Sequence, residues 1–362
     1  MIDAPMFTPF TLRGITLKNR LVMSPMCQYS ADDGTVGDWH LVHLGSRAMG
    51  GTGLVITEMT DISPEGRISK GCAGMYKRAH VAAWKRVVDF VHAHSDTKIA
   101  VQLAHAGRKA SCHVAWEGGG PLPDGEAWEI IAPSPLPFSS ASQTPREMTR
   151  ADMDRLVEAF AQGARWADEA GFDMIEIHGG HGYLISSFIS PLANRRTDDY
   201  GGSLANRMRF PLEVFHAIRA NWPDEKPISM RISAYDWVEG GTEVDDAVEI
   251  GRIMKAAGLD ILDVSSGNVT DDVRPRVDGL FQTPFSERVR AEVGIPTMTV
   301  GNIAGPEQIN AIVAEGRADL CCMAKGQLFD PYFAHHSART LGQDGHKWPK
   351  QYGAAAFFKP VD

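Results

Sequence analysis

Eight short apolar segments, each followed by an amphipathic segment, constrain the fold of this chain more than any other feature. Near-continuous apolar runs are typical of parallel strands that are covered on both faces. Because the segments between them have helical spacing, the pattern predicts strands that alternate with helices. The predicted strands are residues 20–24, 53–58, 98–104, 173–178, 227–233, 259–265, 297–301 and 318–323.

The helical segments carry their own start and stop signals. Residues 79–95 place Val81, Trp84 and Val88 on one face at helical spacing. Thr149 and Asp152 match a capping box at the start of segment 149–171, where a glycine ends the helix. Further helices are predicted at 38–50, 203–221, 243–257, 285–293, 306–315 and 332–341.

An eightfold alternation predicts an α/β fold, specifically a closed (β/α)8 TIM barrel. An open doubly wound sheet that binds a dinucleotide would carry a Gly-rich turn after its first strand, and here that strand runs into Ser24-Pro25-Met26-Cys27. The connection 105–147, after the third strand, is long and rich in Gly, Pro, Ser and Trp. We expect this β3–α3 loop insertion to be a lid or binding loop. We expect one domain over residues 1–362.

Charge and hydropathy bear on whether the protein binds nucleic acid or a membrane. The formal net charge is −9, and no Lys or Arg run indicates a groove for a nucleic-acid backbone, so we expect no nucleic-acid partner. The first residues lack the basic start and apolar stretch of a signal peptide. No apolar run approaches the roughly 20 residues that span a bilayer. We therefore expect a cytoplasmic protein without a membrane partner.

Polar and small residues collect at the carboxyl ends of the predicted strands, which is the catalytic face of such barrels. Buried polar groups cost free energy unless they have partners, so a set of this kind indicates a site. The set comprises 24–29, 57–60, 102–105, 178–183, Arg231, 265–267, 301–302 and 324–325.

His178, His181 and Tyr183 form the densest cluster of these residues. Two imidazoles that donate to one carbonyl oxygen would stabilise the negative charge that grows on it as hydride adds to an enone. A nearby phenol could then protonate the α-carbon. Alternatively, the histidine pair could hold a metal in a barrel hydrolase or lyase, with Glu58, Glu176 or His105 as further ligands.

Three other strand ends leave two interpretations open. Cys27 is either a small buried residue or a functional thiol, acting as a nucleophile or as a tuner of a cofactor's potential. Arg231 requires an anionic partner, either a reduced flavin near N1 or a carboxylate such as Glu58 or Glu176. Gly301 and Lys325 end the strands where barrels often bind phosphate, although a lone lysine is usually solvated.

These residues together resemble the Old Yellow Enzyme family, in particular its shorter bacterial class with a cysteine beside the flavin. The resemblance covers nearly the whole chain. It rests on the motifs Phe10-Thr-Leu-Arg-Gly, Leu17-Lys-Asn-Arg, Ser24-Pro-Met-Cys-Gln-Tyr, Asp38-Trp-His, Gln102-Leu-Ala-His-Ala-Gly-Arg, His178-Gly-Gly-His-Gly-Tyr-Leu, Asn194-Arg-Arg-Thr-Asp-Asp-Tyr-Gly-Gly-Ser and Asn206-Arg.

The resemblance implies an FMN-dependent ene-reductase that NADPH or NADH reduces. It acts on α,β-unsaturated carbonyl compounds by hydride transfer from flavin N5 and proton transfer from Tyr183. His178 and His181 would bind the activating oxygen of the substrate, and Tyr29 would contact the substrate. The FMN contacts that it implies are Ser24, Pro25, Met26, Cys27, Met59, Gln102, Arg231, Gly301, Asn302, Ala324 and Lys325. Many relatives read Gly-Arg where this chain has Ala324-Lys325, which leaves the phosphate contact less secure than the ring contacts.

Two further segments bear on substrate and assembly. Residues 236–241 and 281–285 look like reductase domains that act on aromatic acyl-CoA thioesters, so a CoA thioester or a dearomatised aromatic compound is the alternative substrate. The tail 348–352 resembles segments that reach a neighbouring subunit's active site in this class. We therefore expect a homodimer or a homotetramer.

Overall fold

The structure is a computed structural model that describes residues 4–271, 273, 277–343 and 345–357. After a short antiparallel hairpin, β1 (Phe10–Leu12) and β2 (Ile15–Leu17), eight parallel strands close into a barrel. In barrel order these are β3 (Leu21–Met23), β4 (Leu54–Asp61), β5 (Lys98–Ala104), β8 (Met174–Gly179), β9 (Ile228–Ser233), β10 (Ile261–Ser265), β11 (Thr297–Thr299) and β12 (Leu320–Met323). The eight predicted strands and the TIM barrel are confirmed.

Helices surround the barrel and cover its outer face. They are α1 (Asp38–Met49), α2 (Arg78–His94), α3 (Arg150–Ala170), α4 (Leu184–Ile189), α5 (Leu204–Arg207), α6 (Arg209–Arg219), α7 (Val244–Ala257), α8 (Thr283–Val293), α9 (Pro306–Ala314), α10 (Lys325–Phe329) and α11 (Phe333–Thr340). All eight predicted helices are present, although the segment 203–221 is divided into α5 and α6 at Met208. The capping box of α3 forms as predicted: Asp152 N donates to Thr149 Oγ1 at 3.2 Å, and Thr149 N donates to Asp152 Oδ2 at 2.7 Å.

The barrel interior is apolar at one end and polar at the other. Near the amino ends of the strands, Val22, Leu54 and Met174 pack together, and the β1–β2 hairpin packs against this cluster with Leu12 and Leu17. Towards the carboxyl ends the buried inward residues are polar, namely Gln102, Glu176, Ser229, Arg231 and Asp263. Because these groups need partners, this end of the barrel is where a ligand would be held.

A β-bulge lies between Ile56 and Met59 of β4, where its register with β5 shifts. Thr57 supports it, since Gln102 N donates to Thr57 Oγ1 at 3.1 Å. Beyond the bulge, Met59 pairs with Gln102. Bulges re-aim side chains near active sites, and this one places both residues at the mouth of the barrel.

The long connection between β5 and α3 is irregular along most of its length. It contains two short 3-10 turns, Gly107–Lys109 and Ala115–Glu117, and a small parallel sheet of β6 (Ile131–Ala132) and β7 (Arg146–Glu147). It leaves the third barrel strand at its carboxyl end, as the sequence predicted. None of the described helices is both long and apolar enough to span a lipid bilayer.

Candidate active site

A cavity of about 340 Å³ opens at the carboxyl ends of the barrel strands. Its size is within the usual range for small-ligand and cofactor sites. Eleven of its twelve lining residues belong to the strand-end set that the sequence marked as a site: Ser24, Pro25, Cys27, Tyr29, Met59, Gln102, His178, His181, Tyr183, Arg231 and Ala324. Val300 completes the lining.

His178, His181 and Tyr183 converge on one side of this cavity. The ring centroids of His178 and His181 are 5.3 Å apart, and those of His178 and Tyr183 are 4.9 Å apart, both edge to face. His178 is the penultimate residue of β8, whereas His181 and Tyr183 follow the strand in a tight turn where His181 adopts a left-handed φ of 61°. Such a backbone is strained for a residue with a Cβ, and strain of this kind is frequent at functional sites.

The tautomer of His178 follows from its backbone contact. Gly180 N–H donates to His178 Nδ1 at 3.3 Å, so Nδ1 is an acceptor and the proton of the neutral ring is on Nε2. Burial lowers the pKa of His178 well below its ordinary value, and the Arg231 cation lowers it further. The ring is therefore a neutral donor at working pH.

Ser265 orients the second imidazole. Its Oγ lies 2.8 Å from His181 Nε2 and 3.2 Å from Gln282 Oε1. Gln282 Oε1 already accepts from Ser266 Oγ at 2.7 Å. The Ser265 hydroxyl has one proton, which it donates either to Gln282 Oε1 or to His181 Nε2; in the second arrangement the imidazole proton is on Nδ1. Burial also lowers the pKa of His181 well below its ordinary value, so this ring is neutral as well.

The two phenols and the thiol that line the cavity are also held in their neutral forms. Burial raises the pKa of Tyr183 and of Tyr29 above the ordinary phenol value. Burial likewise raises the pKa of the Cys27 thiol. A protonated thiol is a poor nucleophile, whereas a protonated Cys27 packs as a small apolar side chain.

Arg231 is paired inside the barrel, but not with the carboxylates that we expected. Its Nη1 lies 3.3 Å from Asp263 Oδ2 and donates to Ser24 Oγ at 2.8 Å. The expectation of Glu58 as partner is wrong, because Glu58 Oε1 lies 3.0 Å from His40 Nε2. The Glu176 carboxylate acts to raise the pKa of Arg231, but among the described residues it forms no direct ion pair with the guanidinium. Arg231 Nε has no hydrogen-bond partner among the described residues and is buried at the cavity.

Glu176 fixes the amide of Gln102. Gln102 Nε2 donates to Glu176 Oε1 at 2.9 Å, which leaves the amide oxygen free to accept. Ser229 Oγ donates to the second Glu176 oxygen at 3.1 Å. Burial, and to a smaller extent the neighbouring Asp263, raises the pKa of Glu176 to about 8. Gln102 can thus accept from an N–H at the edge of a ring.

Four residues that the sequence assigned to the cofactor lie outside the cavity lining. Met26 packs against the hydrophobic core. Gly301 and Asn302 follow β11 with φ values of 109° and 53°, and Asn302 Nδ2 donates to Val277 O. Lys325 begins α10 and is exposed, without an ion pair within the described part of the chain.

Lys109 is a neighbour of the cavity that sequence reasoning missed. It follows the Gln102–Arg108 motif in the long connection, and its Nζ lies 4.8 Å from the centroid of the Tyr183 ring. Nothing in the sequence distinguishes it from a solvated lysine of an irregular loop. Asp263 was missed in the same way, because only the register between strands shows that it lies beside Arg231. Gln282 was also missed, because it follows no strand end and its contacts with Ser265 and Ser266 depend on the folded loop.

The metal hypothesis requires at least one ligand in addition to His178 and His181. Within the described ranges, no group of three or more His, Cys, Asp or Glu residues is placed to share an ion. The cavity instead combines neutral donors, one guanidinium and an amide acceptor.

A closed parallel barrel with this arrangement at its strand ends defines a class of flavin-dependent oxidoreductases. The unpartnered Arg231 Nε and the free Gln102 oxygen fit the acceptor and donor atoms along the pyrimidine edge of an isoalloxazine ring. The model of the NADH:flavin oxidoreductase / NADH oxidase family matches residues 5–343. The chain belongs to this family, which is the Old Yellow Enzyme family, and it is an FMN-dependent NAD(P)H oxidoreductase.

Curated relatives are similar over their whole lengths. An NADPH dehydrogenase of Geobacillus sp. (strain WCH70) is 46% identical over 343 residues, which are 94% of this chain and 96% of the relative. An NADPH dehydrogenase of Listeria innocua serovar 6a is 43% identical over 352 residues, covering 97% and 98% of the two chains.

Two solved structures of interest share the fold. Morphinone reductase in complex with tetrahydroNAD has a TM-score of 0.78 and 28% identity, with 99% of this chain and 96% of that chain covered. A 2-naphthoyl-CoA reductase in complex with 2-naphthoyl-CoA has a TM-score of 0.82 and 26% identity. The match covers 93% of this chain but only 52% of that reductase, so this chain spans about half its length.

Proposed function

We propose that this oxidoreductase reduces the C=C bond of α,β-unsaturated carbonyl compounds. The observation that carries the proposal is the convergence of two neutral imidazoles and one neutral phenol on a single cavity. Two N–H donors suit a carbonyl oxygen, and a phenol beside them suits a carbon that must gain a proton.

His178 and His181 bind the carbonyl oxygen in this proposal. His178 donates from Nε2, because Nδ1 accepts from Gly180 N–H. His181 donates from Nδ1 when Ser265 donates to its Nε2. Since both rings are neutral, they stabilise growing negative charge on the oxygen by hydrogen bonding, without placing a full charge beside it. The donors are held before the substrate arrives, so little reorganisation is needed.

Tyr183 holds the proton that the α-carbon of the substrate receives. Its raised pKa keeps the phenol protonated at neutral pH, which is the form that an acid must have. Tyr29 and Cys27 line the same cavity and exclude water from the reacting face. Arg231, Ser24 and Gln102 would hold FMN by its pyrimidine edge. When bound, FMN supplies the hydride that it has taken from NAD(P)H.

The test is an absorbance spectrum of the purified protein, followed by anaerobic titration with NADPH and with NADH and then by addition of 2-cyclohexenone. We expect flavin absorbance that the nicotinamide bleaches and the enone restores. The proposal would be refuted if NADPH or NADH reduced the flavin normally but no compound in a series of enones and enoyl thioesters reoxidised it. Oxygen would then reoxidise the flavin at the same rate with and without these compounds.

A second candidate substrate is an aromatic or enoyl CoA thioester. The observation that favours it is the likeness to the 2-naphthoyl-CoA reductase complex, together with the segments 236–241 and 281–285. In the structure these segments meet as an aromatic cluster: Trp237 lies 6.4 Å from Phe281 and 5.9 Å from Phe285, between ring centroids. A comparison of kcat/KM for cinnamaldehyde and cinnamoyl-CoA separates the two substrate classes, and a preference for the thioester of more than about 10-fold would favour this candidate.

We further propose that the protein forms a homodimer or a homotetramer. Trp39 and Val42 lie on one face of α1 with 59% and 67% of their surface exposed, and Phe329 is 93% exposed. Exposed large apolar residues of this kind are frequent at subunit interfaces. In the structure of the single chain, the tail instead packs on its own barrel, where the Trp348 and His335 rings stack at 4.2 Å. Light scattering coupled to size-exclusion chromatography tests the proposal, and a monomer at micromolar concentration would contradict it.

A further inference from the structure

The ammonium of Lys109 contacts two carbonyl oxygens and two aromatic rings, none of which carries a formal charge. Its Nζ donates to His181 O at 2.9 Å and to Asn268 O at 3.2 Å. It also lies over two aromatic rings, 4.3 Å from the centroid of Phe138 and 4.8 Å from the centroid of Tyr183. Within the residues that the structure describes, Lys109 forms no ion pair with a carboxylate.

These contacts join three loops at the mouth of the barrel. Lys109 and Phe138 belong to the long connection after β5, His181 and Tyr183 to the turn after β8, and Asn268 to the loop after β10. The bond to His181 O holds the residue whose φ is 61°. Lys109 therefore fixes the turn that presents both the imidazole and the phenol.

We propose that Lys109 is the positioning residue of the proton donor: it holds the Tyr183 turn and stabilises the tyrosinate that forms when Tyr183 gives up its proton. The inference rests on the proposed function, in which Tyr183 protonates the substrate. A cation over the face of an aromatic ring is attracted to the ring even when the ring is neutral. The attraction grows when the ring becomes an anion, because a full charge then faces the ammonium in a site with little water.

The proton balance is simple. The O–H bond of Tyr183 breaks, a C–H bond forms at the α-carbon of the substrate, and the phenol becomes a tyrosinate that solvent later reprotonates. Lys109 keeps its own three protons throughout, and it neither gains nor loses electrons. Its effect is a lower free energy of the tyrosinate relative to the phenol, which acts on the protonation step alone.

The charge of Lys109 introduces a pH dependence. Burial, and to a smaller extent the neighbouring Arg108, lowers the pKa of Lys109 to about 8. The titratable and charged groups that face it are Arg108 and Cys112 on its own connection, His178 on β8, His181 and Tyr183 after β8, and Asp271 after β10. His178 and His181 are neutral in this pH range, so loss of the Lys109 charge is the change that the tyrosinate experiences as the pH rises above about 8.

The first experiment compares Lys109→Met and Lys109→Arg with the control Lys70→Met in anaerobic stopped-flow half-reactions. Lys70 is an exposed lysine whose Nζ bonds Glu126 at 2.9 Å. We expect Lys109→Met to slow reoxidation of the reduced enzyme by an enone about 10- to 100-fold, more than it slows reduction by NADPH. Lys109→Arg should restore most of the rate, and it should extend activity above pH 8 because arginine keeps its charge. Equal losses in both half-reactions, or the same alkaline limit in wild type and Lys109→Arg, would overturn the proposal.

A second measurement is independent of turnover. Tyr183 is replaced by 2,3,5-trifluorotyrosine, whose phenol is acidic enough to titrate by absorbance, with Lys109 or methionine at position 109. We expect the phenol pKa to be at least about one unit higher with methionine. An unchanged phenol pKa would refute the role of Lys109. A shifted pKa in a protein that reduces no enone would instead refute the proposed function and leave the electrostatic coupling intact.

Discussion

Arg231 and Asp263 are register partners on adjacent barrel strands, and Arg231 Nη1 lies 3.3 Å from Asp263 Oδ2. On its other side, Arg231 pairs in register with His178. The guanidinium therefore lies between a carboxylate below the cavity and an imidazole that faces it. This position explains why Arg231 lowers the pKa of both active-site histidines. The ion pair of Arg231 and Asp263 therefore also holds the guanidinium in place beside the cavity.

Replacing Asp263 with asparagine should destabilise the fold by about 3 kcal/mol, since it leaves a buried guanidinium without its nearest carboxylate. Glu176 remains close enough to offset part of the loss. The measurement is urea unfolding at pH 7. The exposed ion pair of Lys85 and Asp89, 2.7 Å apart, provides the control, and Asp89→Asn should cost less than about 1 kcal/mol. Similar costs for the two variants would contradict this account.

The variants His178→Ala and His181→Ala should each weaken the binding of phenolic ligands to the oxidised protein. Each variant removes one N–H donor to the ligand oxygen, which corresponds to about a 10-fold loss in affinity or more. The ligand-induced change in the flavin spectrum measures the dissociation constant. His216→Ala, which alters an exposed residue of α6, should bind phenols as the wild type does. Phenol titrations of the active-site variants that overlay the wild type would exclude the proposed oxygen site.

The variant Tyr183→Phe should slow the oxidative half-reaction with an enone by about 100-fold or more, because the phenylalanine ring fills the space but has no proton to give. Reduction by NADPH should be affected much less. Stopped-flow absorbance follows the two half-reactions separately. A variant that is equally slow in both would point to a displaced turn and not to a missing proton.

Acidification should destabilise the protein between pH 6.5 and 4. Burial lowers the pKa of His80 and of His105 to about 4 in the folded chain, against 6.5 for the ordinary side chain. The unfolded chain therefore binds protons in this range that the folded chain does not, so stability is lost as the pH falls. Each such histidine contributes about 1 kcal/mol of loss per pH unit. Urea midpoints measured from pH 7 to 4 should show a shallower slope for His80→Gln than for wild type. The exposed control His94→Gln should follow the wild type.

The barrel strands and the outer helices could be predicted from the sequence because each has a local signature. Parallel strands covered on both faces are apolar along their length, and α3 carries both a capping box and a terminal glycine. The helices that were missed, α4 and α10, have six and five residues. Helices this short are stable only through tertiary packing, and all six residues of α4 are buried.

The candidate site was predictable where residue type and strand end coincide, as for His178, Gln102 and Cys27. It was not predictable where the partner lies on another strand. The pairing of Arg231 with Asp263 in place of Glu58 depends on the register of β9 and β10, which no local pattern encodes. The position of Lys109 depends in the same way on how an irregular loop folds back over the barrel.

The closure of the barrel has a consequence for synthesis. Leu21 of β3 pairs with Cys321 of β12. The first barrel strand to be synthesised therefore cannot pair on this side until the last barrel strand has been synthesised. On the ribosome, a nascent chain that has already exposed β3 and β4 holds an open edge until nearly all of the chain has emerged. Contacts between residues so distant in sequence form slowly, and unpaired edges favour association with other chains. Truncated products that stop before residue 320 should therefore be substrates for chaperones and proteases rather than smaller working enzymes.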